Sequence, residues 1–149
     1  MLDPFRCAYH AGDMNQRSIG IDLDNLQPDL VRQPHALAYP KKHPRLAELQ
    51  ALPRPRSEVM TINGAPTQSY GLTEPQYRSL QSLLRLLASV FPAIGDGAPQ
   101  VDGKVVSHVL YDTSERHGVL AHWHTEYQRW DPGPGFDWQR LGLDDVPTP

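Results

Sequence analysis

Two histidines and an aspartate lie close together in the segment GVLAHWHTEYQRWDPGPGFDW, residues 118–138. His122 follows the apolar run 119–121, and Asp131 stands directly before a Pro-Gly-Pro turn. Imidazole and carboxylate groups are ligands that a catalytic zinc uses, typically three from the protein with water in the fourth position. Proline fixes φ and glycine adopts conformations that other residues avoid. The turn can therefore hold Asp131 at a set distance from His122.

The same residues also permit simpler interpretations. An aspartate before Pro-Gly is an ordinary way to open a turn, and His122 and His124 could be one core histidine and one solvated histidine. Because side chains alternate along a strand, both imidazoles would share a face if a strand over 119–121 continued through them. In that arrangement His122, His124 and Asp131 would form a complete ligand set.

The segment 119–138 resembles the C-terminal motif of the zinc-dependent N-acetylmuramoyl-L-alanine amidases, the amidase-2 family, which is related to peptidoglycan recognition proteins. That motif runs from a ligand histidine, through a loop with a basic residue, to a ligand aspartate in DPGP and then F-x-W. The places are filled here by His122, Arg129, Asp131 and the sequence FDW at 136–138. A second block, AYHAGDMNQRSIGIDLDN, resembles the family's W-H-A-G…N…S-I-G-I-E-L segment, and both blocks occur in the family's order.

The resemblance implies that a Zn²⁺-activated water hydrolyses the amide bond between N-acetylmuramic acid and L-alanine in peptidoglycan or muropeptides. It assigns zinc binding to His122 and Asp131, with His124 as a possible third ligand. Arg129 matches the basic residue that stabilises the tetrahedral oxyanion. Arginine replaces the more usual lysine at this position. The planar guanidinium of arginine donates hydrogen bonds in fixed directions, whereas the ammonium group of lysine is a compact charge.

Three further residues receive roles from the resemblance. Asp22 stands at the position of the family's catalytic glutamate, which acts as general acid and base, and its side chain is one methylene shorter. His10 would line the substrate side of the cleft without binding metal. Trp130, beside the ligand aspartate, would be able to touch the substrate.

In the resembling family an opening strand pair precedes the YHAG-like segment and supplies the first zinc-binding histidine. This chain begins almost at that segment, so we expect a domain that lacks the N-terminal strands. A catalytically inactive module that binds peptidoglycan or muropeptides is therefore an alternative function. A fragment that has no activity by itself is a third interpretation.

Length and composition favour one domain over residues 1–149, with 39% hydrophobic residues for its core. The net charge is −3 and no basic cluster dominates, which argues against nucleic acid as a partner. No apolar run reaches membrane-spanning length. We expect no signal peptide, which leaves the bacterial cytoplasm and the periplasm or cell wall both open. The sequence indicates no oligomeric state.

The fold class expected from the order of elements is α/β, and the resemblance implies a mixed central β-sheet flanked by helices. Alternation in SIGIDLD predicts a strand over 18–24. Residues 26–70 form a proline-rich insertion or flap, which contains an Asn63-Gly64 hairpin turn. A helix opens at Thr73 with a T-x-x-Q capping box and ends at Pro92. Residues 139–149 are expected to be a C-terminal tail.

Overall fold

The computed structural model describes residues 9–25, 54–113 and 116–143. In these ranges the chain combines helices with two small antiparallel sheets. The elements in chain order are a 3-10 turn at Gly12–Met14, β1 at Met60–Ile62, β2 at Ala65–Thr67, α1 at Glu74–Val90, a 3-10 helix at Pro92–Asp96, β3 at Gln100–Val101, β4 at Lys104–Val105, α2 at His122–Thr125 and a 3-10 helix at Trp138–Leu141. None of the helices in these ranges is both long and apolar enough to cross a membrane.

Two tight hairpins form the sheets. Strands β1 and β2 pair antiparallel around Asn63 and Gly64, which have φ angles of 49° and 79°. Strands β3 and β4 pair around Asp102 and Gly103, with φ angles of 51° and 74°. Positive φ at both loop residues is the requirement of a type I′ turn, which Asn-Gly and Asp-Gly satisfy best. The hairpin predicted at Asn63-Gly64 is confirmed.

Helix α1 spans Glu74–Val90, and the bounds predicted from the sequence are confirmed. At its start the side-chain oxygen of Gln76 accepts hydrogen bonds from the backbone N–H and the hydroxyl of Thr73, each at 2.8 Å. These bonds satisfy groups that a helix start leaves without intrahelical partners. The helix buries one stripe at spacings of three and four, which consists of Tyr77, Leu80, Leu84 and Ala88.

The core joins α1 to the C-terminal segment. One buried cluster consists of Leu72, Tyr77, Leu80, Leu84, Phe136, Leu141 and Leu143. A second, smaller cluster consists of Ile62, Ala121 and Trp123. Trp138 packs against both clusters and so connects them. The predicted C-terminal tail therefore begins inside the core, since Leu141 and Leu143 belong to the first cluster; residues 144–149 lie outside the described ranges.

The strand predicted over residues 18–24 is wrong. This segment contains no helix or strand, and Ile19 and Ile21 are 54% and 38% exposed. Of the three alternating apolar residues only Leu23 packs against the core. Alternation stabilises a strand only where a neighbouring strand pairs with its backbone, and the described residues provide no such neighbour.

The predicted central sheet is also not formed by the described residues, whose two sheets are separate two-stranded hairpins. Residues 26–53, most of the predicted insertion or flap, lie outside the described ranges. Residues 54–70 fold back on themselves: Arg56 bridges Tyr70, and the backbone N–H of Gly71 donates to the carbonyl of Pro55 at 2.7 Å. This part of the proline-rich region is therefore integrated into the domain.

Candidate functional site

The segment that carries His122 and His124 is a helical turn and does not continue a strand from residues 119–121. Helix α2 spans His122–Thr125, and residues 119–121 before it form no strand. An α-helix turns by about 100° per residue, so side chains two positions apart point in nearly opposite directions. The condition under which both imidazoles would share one face, a strand that continues through them, is therefore not met. His122 points towards the loop that follows α2, and His124 is fully buried.

His122 and Asp131 are in direct contact. The Nδ1 atom of His122 lies 2.9 Å from the Oδ2 atom of Asp131, nine residues further along the chain. The side chain of His122 is 19% exposed and that of Asp131 is 56% exposed. The pair therefore lies at the surface with one face open to solvent, and both side chains present donor atoms suitable for a metal ion or for proton transfer.

The Pro-Gly-Pro turn holds Asp131 by packing against the residues after β2. The N–H of Gly135 donates to the hydroxyl of Ser69 at 2.8 Å. A methyl group on Gly135 would lie 2.6 Å from the backbone nitrogen of Gly71 and 2.6 Å from the carbonyl carbon of Tyr70. The two backbones therefore touch, and only a residue without a side chain fits at position 135.

Glu126 is a site residue that the sequence analysis missed. Its Oε1 atom lies 3.4 Å from Nε2 of His122, and its Oε2 atom lies 3.6 Å from Nε of Arg129. Glu126 thus stands between the imidazole and the guanidinium. The signal that could have found it is the four-residue spacing from His122, which brings two side chains together on a helix, but a loop was predicted after His122.

The second ring nitrogen of His122 is buried without a hydrogen bond. Its Nε2 atom is inaccessible to solvent and has no hydrogen-bond partner among the described residues. The nearest carboxylate oxygen, on Glu126, is within ion-pair distance but lacks hydrogen-bond geometry. A buried polar atom without a partner is costly, and Nε2 of His122 is such an atom.

Asn63 organises the loop from α2 to Asp131, although the sequence indicated only its turn conformation. Its side-chain amide nitrogen donates to the carbonyl oxygens of Trp123, Glu126 and Arg129 at 3.2, 3.3 and 3.2 Å. Its side-chain oxygen accepts from the N–H of Val109 at 2.7 Å. The β1–β2 turn therefore fixes the backbone on which the site residues stand.

His124 is a buried residue of the core, and both of its ring nitrogens bond to the backbone. Its Nδ1 atom accepts a hydrogen bond from the N–H of Ala121 at 3.0 Å, so the ring proton of the neutral form lies on Nε2. Nε2 in turn donates to the carbonyl of Val106 at 2.6 Å. Because both nitrogens are engaged with the backbone, the structure does not bring His124 to His122 and Asp131 as a third ligand.

Burial lowers the pKa of His124 from 6.5 to about 4. Desolvation is the largest cause, and the charges of His108 and Arg116 add to it, whereas the hydrogen bond to Val106 opposes it. Protonation would also place a hydrogen on Nδ1 against the N–H of Ala121. His124 is therefore neutral at pH 7.

This lowered pKa predicts a specific acid sensitivity. Between pH 6.5 and pH 4 the unfolded chain binds a proton at His124 that the folded chain rejects, so stability falls as the pH falls. From pH 7 to pH 5 we expect a loss of about 2 kcal/mol from this residue. Urea unfolding of His124→Gln, which keeps a donor for Val106, would lack that part of the pH dependence. An unchanged dependence in the variant would contradict the assignment.

His10 lies in the first motif, which folds against the second. Its Nε2 atom is 2.7 Å from the hydroxyl of Ser18. The 3-10 turn that follows packs on α2, and a methyl group on Gly12 would lie 3.7 Å from Oε1 of Glu126. The two sequence blocks, about 100 residues apart, are therefore neighbours in space.

The remaining predicted site residues are exposed. Asp22 is exposed, and its carboxylate makes no hydrogen bond or ion pair with His122 or Asp131, both of which lie in the described ranges. It stands in the segment that was expected to be a strand, so the geometry that would aim its carboxylate is missing from the described structure. Trp130 is 46% exposed beside Asp131, in contrast to Trp123, which is buried in the core.

The described residues contain no group of three or more histidine, cysteine, aspartate or glutamate side chains that could hold a metal ion. Comparison of the chain with protein-family models, with curated proteins and with solved structures gives no match.

Proposed function

We propose that this chain is a zinc-dependent amidase that hydrolyses the bond between N-acetylmuramic acid and L-alanine in bacterial peptidoglycan or muropeptides. The observation that carries the proposal is the 2.9 Å contact between His122 Nδ1 and Asp131 Oδ2. These are the two residues to which the amidase resemblance assigns zinc binding, and an ordinary turn-opening aspartate would not need to meet that histidine. The proposal includes an amidase-like architecture, with a mixed central sheet flanked by helices.

The donor types of this pair fit zinc, which binds imidazole nitrogen and carboxylate oxygen at about 2.0–2.2 Å. The described residues supply two protein donors, His122 and Asp131, and His124 is engaged elsewhere. Bound zinc would polarise the scissile carbonyl and lower the pKa of a coordinated water. The 56% exposure of Asp131 leaves the carboxylate open to a metal and a substrate from solvent.

Arg129 is the residue that we propose stabilises the oxyanion of the tetrahedral intermediate. Its side chain is 52% exposed and stands two residues before Asp131, while Glu126 contacts it from the protein side. A cation held at the rim of the site can approach the oxygen on which charge develops. His10 and Trp130 are the proposed substrate contacts, and Asp22 the proposed general acid and base, in line with the amidase resemblance.

A muramoyl dipeptide, in which N-acetylmuramic acid is joined to L-alanine, tests the proposal. With zinc added, we expect the chain to release the free amino group of alanine. His122→Ala should lower the rate by more than about 100-fold, because losing a ligand costs more than losing a residue that merely orients one. The control His117→Ala, at an exposed histidine outside the site, should keep the parent rate.

The same assay addresses a second candidate function. A module that binds the substrate without cleaving it is favoured because the described residues supply only two zinc ligands, whereas a catalytic zinc typically has three from the protein. In that case the chain would bind the muramoyl dipeptide in calorimetry and release no alanine amino group. Cleavage that persists unchanged in His122→Ala would contradict the amidase proposal at this site.

A further inference from the structure

The imidazole of His122 stands between two carboxylates. Asp131 contacts Nδ1 at 2.9 Å, and Glu126 faces Nε2 at 3.4 Å. Nε2 is buried and has no hydrogen bond among the described residues. Nothing in the amidase resemblance assigns a role to Glu126, whose position was not singled out by any motif.

The position of the hydrogen on the His122 ring suggests a role for Glu126. A histidine that binds a metal uses the lone pair of one ring nitrogen and carries its hydrogen on the other. In metalloproteins that second nitrogen usually donates to a carboxylate, which fixes the ring and raises the basicity of the ligand. Since Nδ1 of His122 faces Asp131, the metal would bind at Nδ1, and the hydrogen would lie on Nε2. The carboxylate oxygen that faces Nε2 is Oε1 of Glu126, at 3.4 Å.

We propose that Glu126 is the positioning residue of the zinc site, holding His122 through Nε2 so that Nδ1 is presented to the metal; this inference rests on the proposed function. The backbone of Glu126 is itself fixed, because its carbonyl accepts from the Asn63 amide and its N–H donates to the carbonyl of His122 at 3.0 Å. Its second oxygen contacts Arg129, so one carboxylate orients both the ligand and the cation.

Two substitutions separate the hydrogen-bond role from packing. Glu126→Gln keeps an oxygen acceptor for Nε2 and loses the charge, whereas Glu126→Leu keeps bulk and loses the acceptor. We expect Co²⁺ affinity, measured by titration of its visible absorption, to fall 10–100-fold in Glu126→Leu. Glu126→Gln should recover most of this loss. Glu58→Gln, at an exposed glutamate, is the control and should match the parent.

Nitrogen-15 spectra of the His122 ring provide a readout that does not depend on activity. In the metal-loaded parent we expect hydrogen on Nε2 and metal on Nδ1, and in the metal-free chain the His122 signals should shift or broaden when Glu126 becomes leucine. Equal Co²⁺ affinity and unchanged His122 signals in Glu126→Leu would overturn the inference. A parent chain that binds no metal would instead overturn the proposed function, and the metal-free spectra would still decide whether Glu126 orients the ring.

Discussion

Replacement of Asn63 by glycine is expected to lower the free energy of unfolding by about 3 kcal/mol, because the two N–H donors that three carbonyls share and the bond that the side-chain oxygen accepts are lost together, at about 1 kcal/mol each. Glycine keeps the backbone conformation of the turn, where Asn63 has a φ of 49°. The loss therefore reports on the side chain, which donates to three carbonyls of the site loop and accepts from Val109. Urea or thermal unfolding measures it.

The second hairpin provides a matched control. Asp102 occupies the same turn position between β3 and β4, with a φ of 51°, and its side chain is exposed. Asp102→Gly should change stability by less than about 0.5 kcal/mol, as surface substitutions usually do. If Asn63→Gly cost no more than Asp102→Gly, the role of Asn63 in organising the site loop would be refuted.

Gly135→Ala is expected to destabilise the fold by about 3 kcal/mol, at the upper end of the usual cost of overpacking. Its methyl group would meet the backbone of Tyr70 and Gly71 at 2.6–2.8 Å, and backbone cannot move aside as a flexible side chain can. Because this contact holds the Pro-Gly-Pro turn, the distance between Asp131 and His122 should also change. Stability curves and Co²⁺ titration would report the two effects separately.

Gly103→Ala is the comparison for that steric effect. Gly103 has a φ of 74° and nothing within 4 Å of the added methyl group, so its substitution tests backbone strain alone. We expect a cost of about 1 kcal/mol for that strain. A Gly135→Ala variant as stable as Gly103→Ala would show that the two backbones are not in contact in solution.

The features predicted well from the sequence are local ones. Asn63-Gly64 encodes its turn through φ angles that few other residues adopt, and Thr73 with Gln76 encodes the start of α1 within four residues. The strand predicted over 18–24 depended on a partner strand elsewhere in the chain, which its own sequence does not specify.

The candidate site was predictable only in part for the same reason. The rigid Pro-Gly-Pro turn suggested that Asp131 would be held near His122, and Oδ2 of Asp131 lies 2.9 Å from Nδ1 of His122. Glu126 and Asn63 were missed because their roles depend on which way α2 points and on a hydrogen bond that spans 60 residues or more. For His124 the sequence left a core histidine and a third ligand both open, because side chains two residues apart share a face on a strand and point in nearly opposite directions on a helix.

Zinc bound per chain, measured by equilibrium dialysis of the parent, His122→Ala and His117→Ala, tests the central claim most directly. We predict about one zinc per chain in the parent and in His117→Ala, as a single tetrahedral site requires, and almost none in His122→Ala. A parent chain that binds no zinc, or a His122→Ala chain that binds as much as the parent, would contradict the assignment of His122 and Asp131 as zinc ligands.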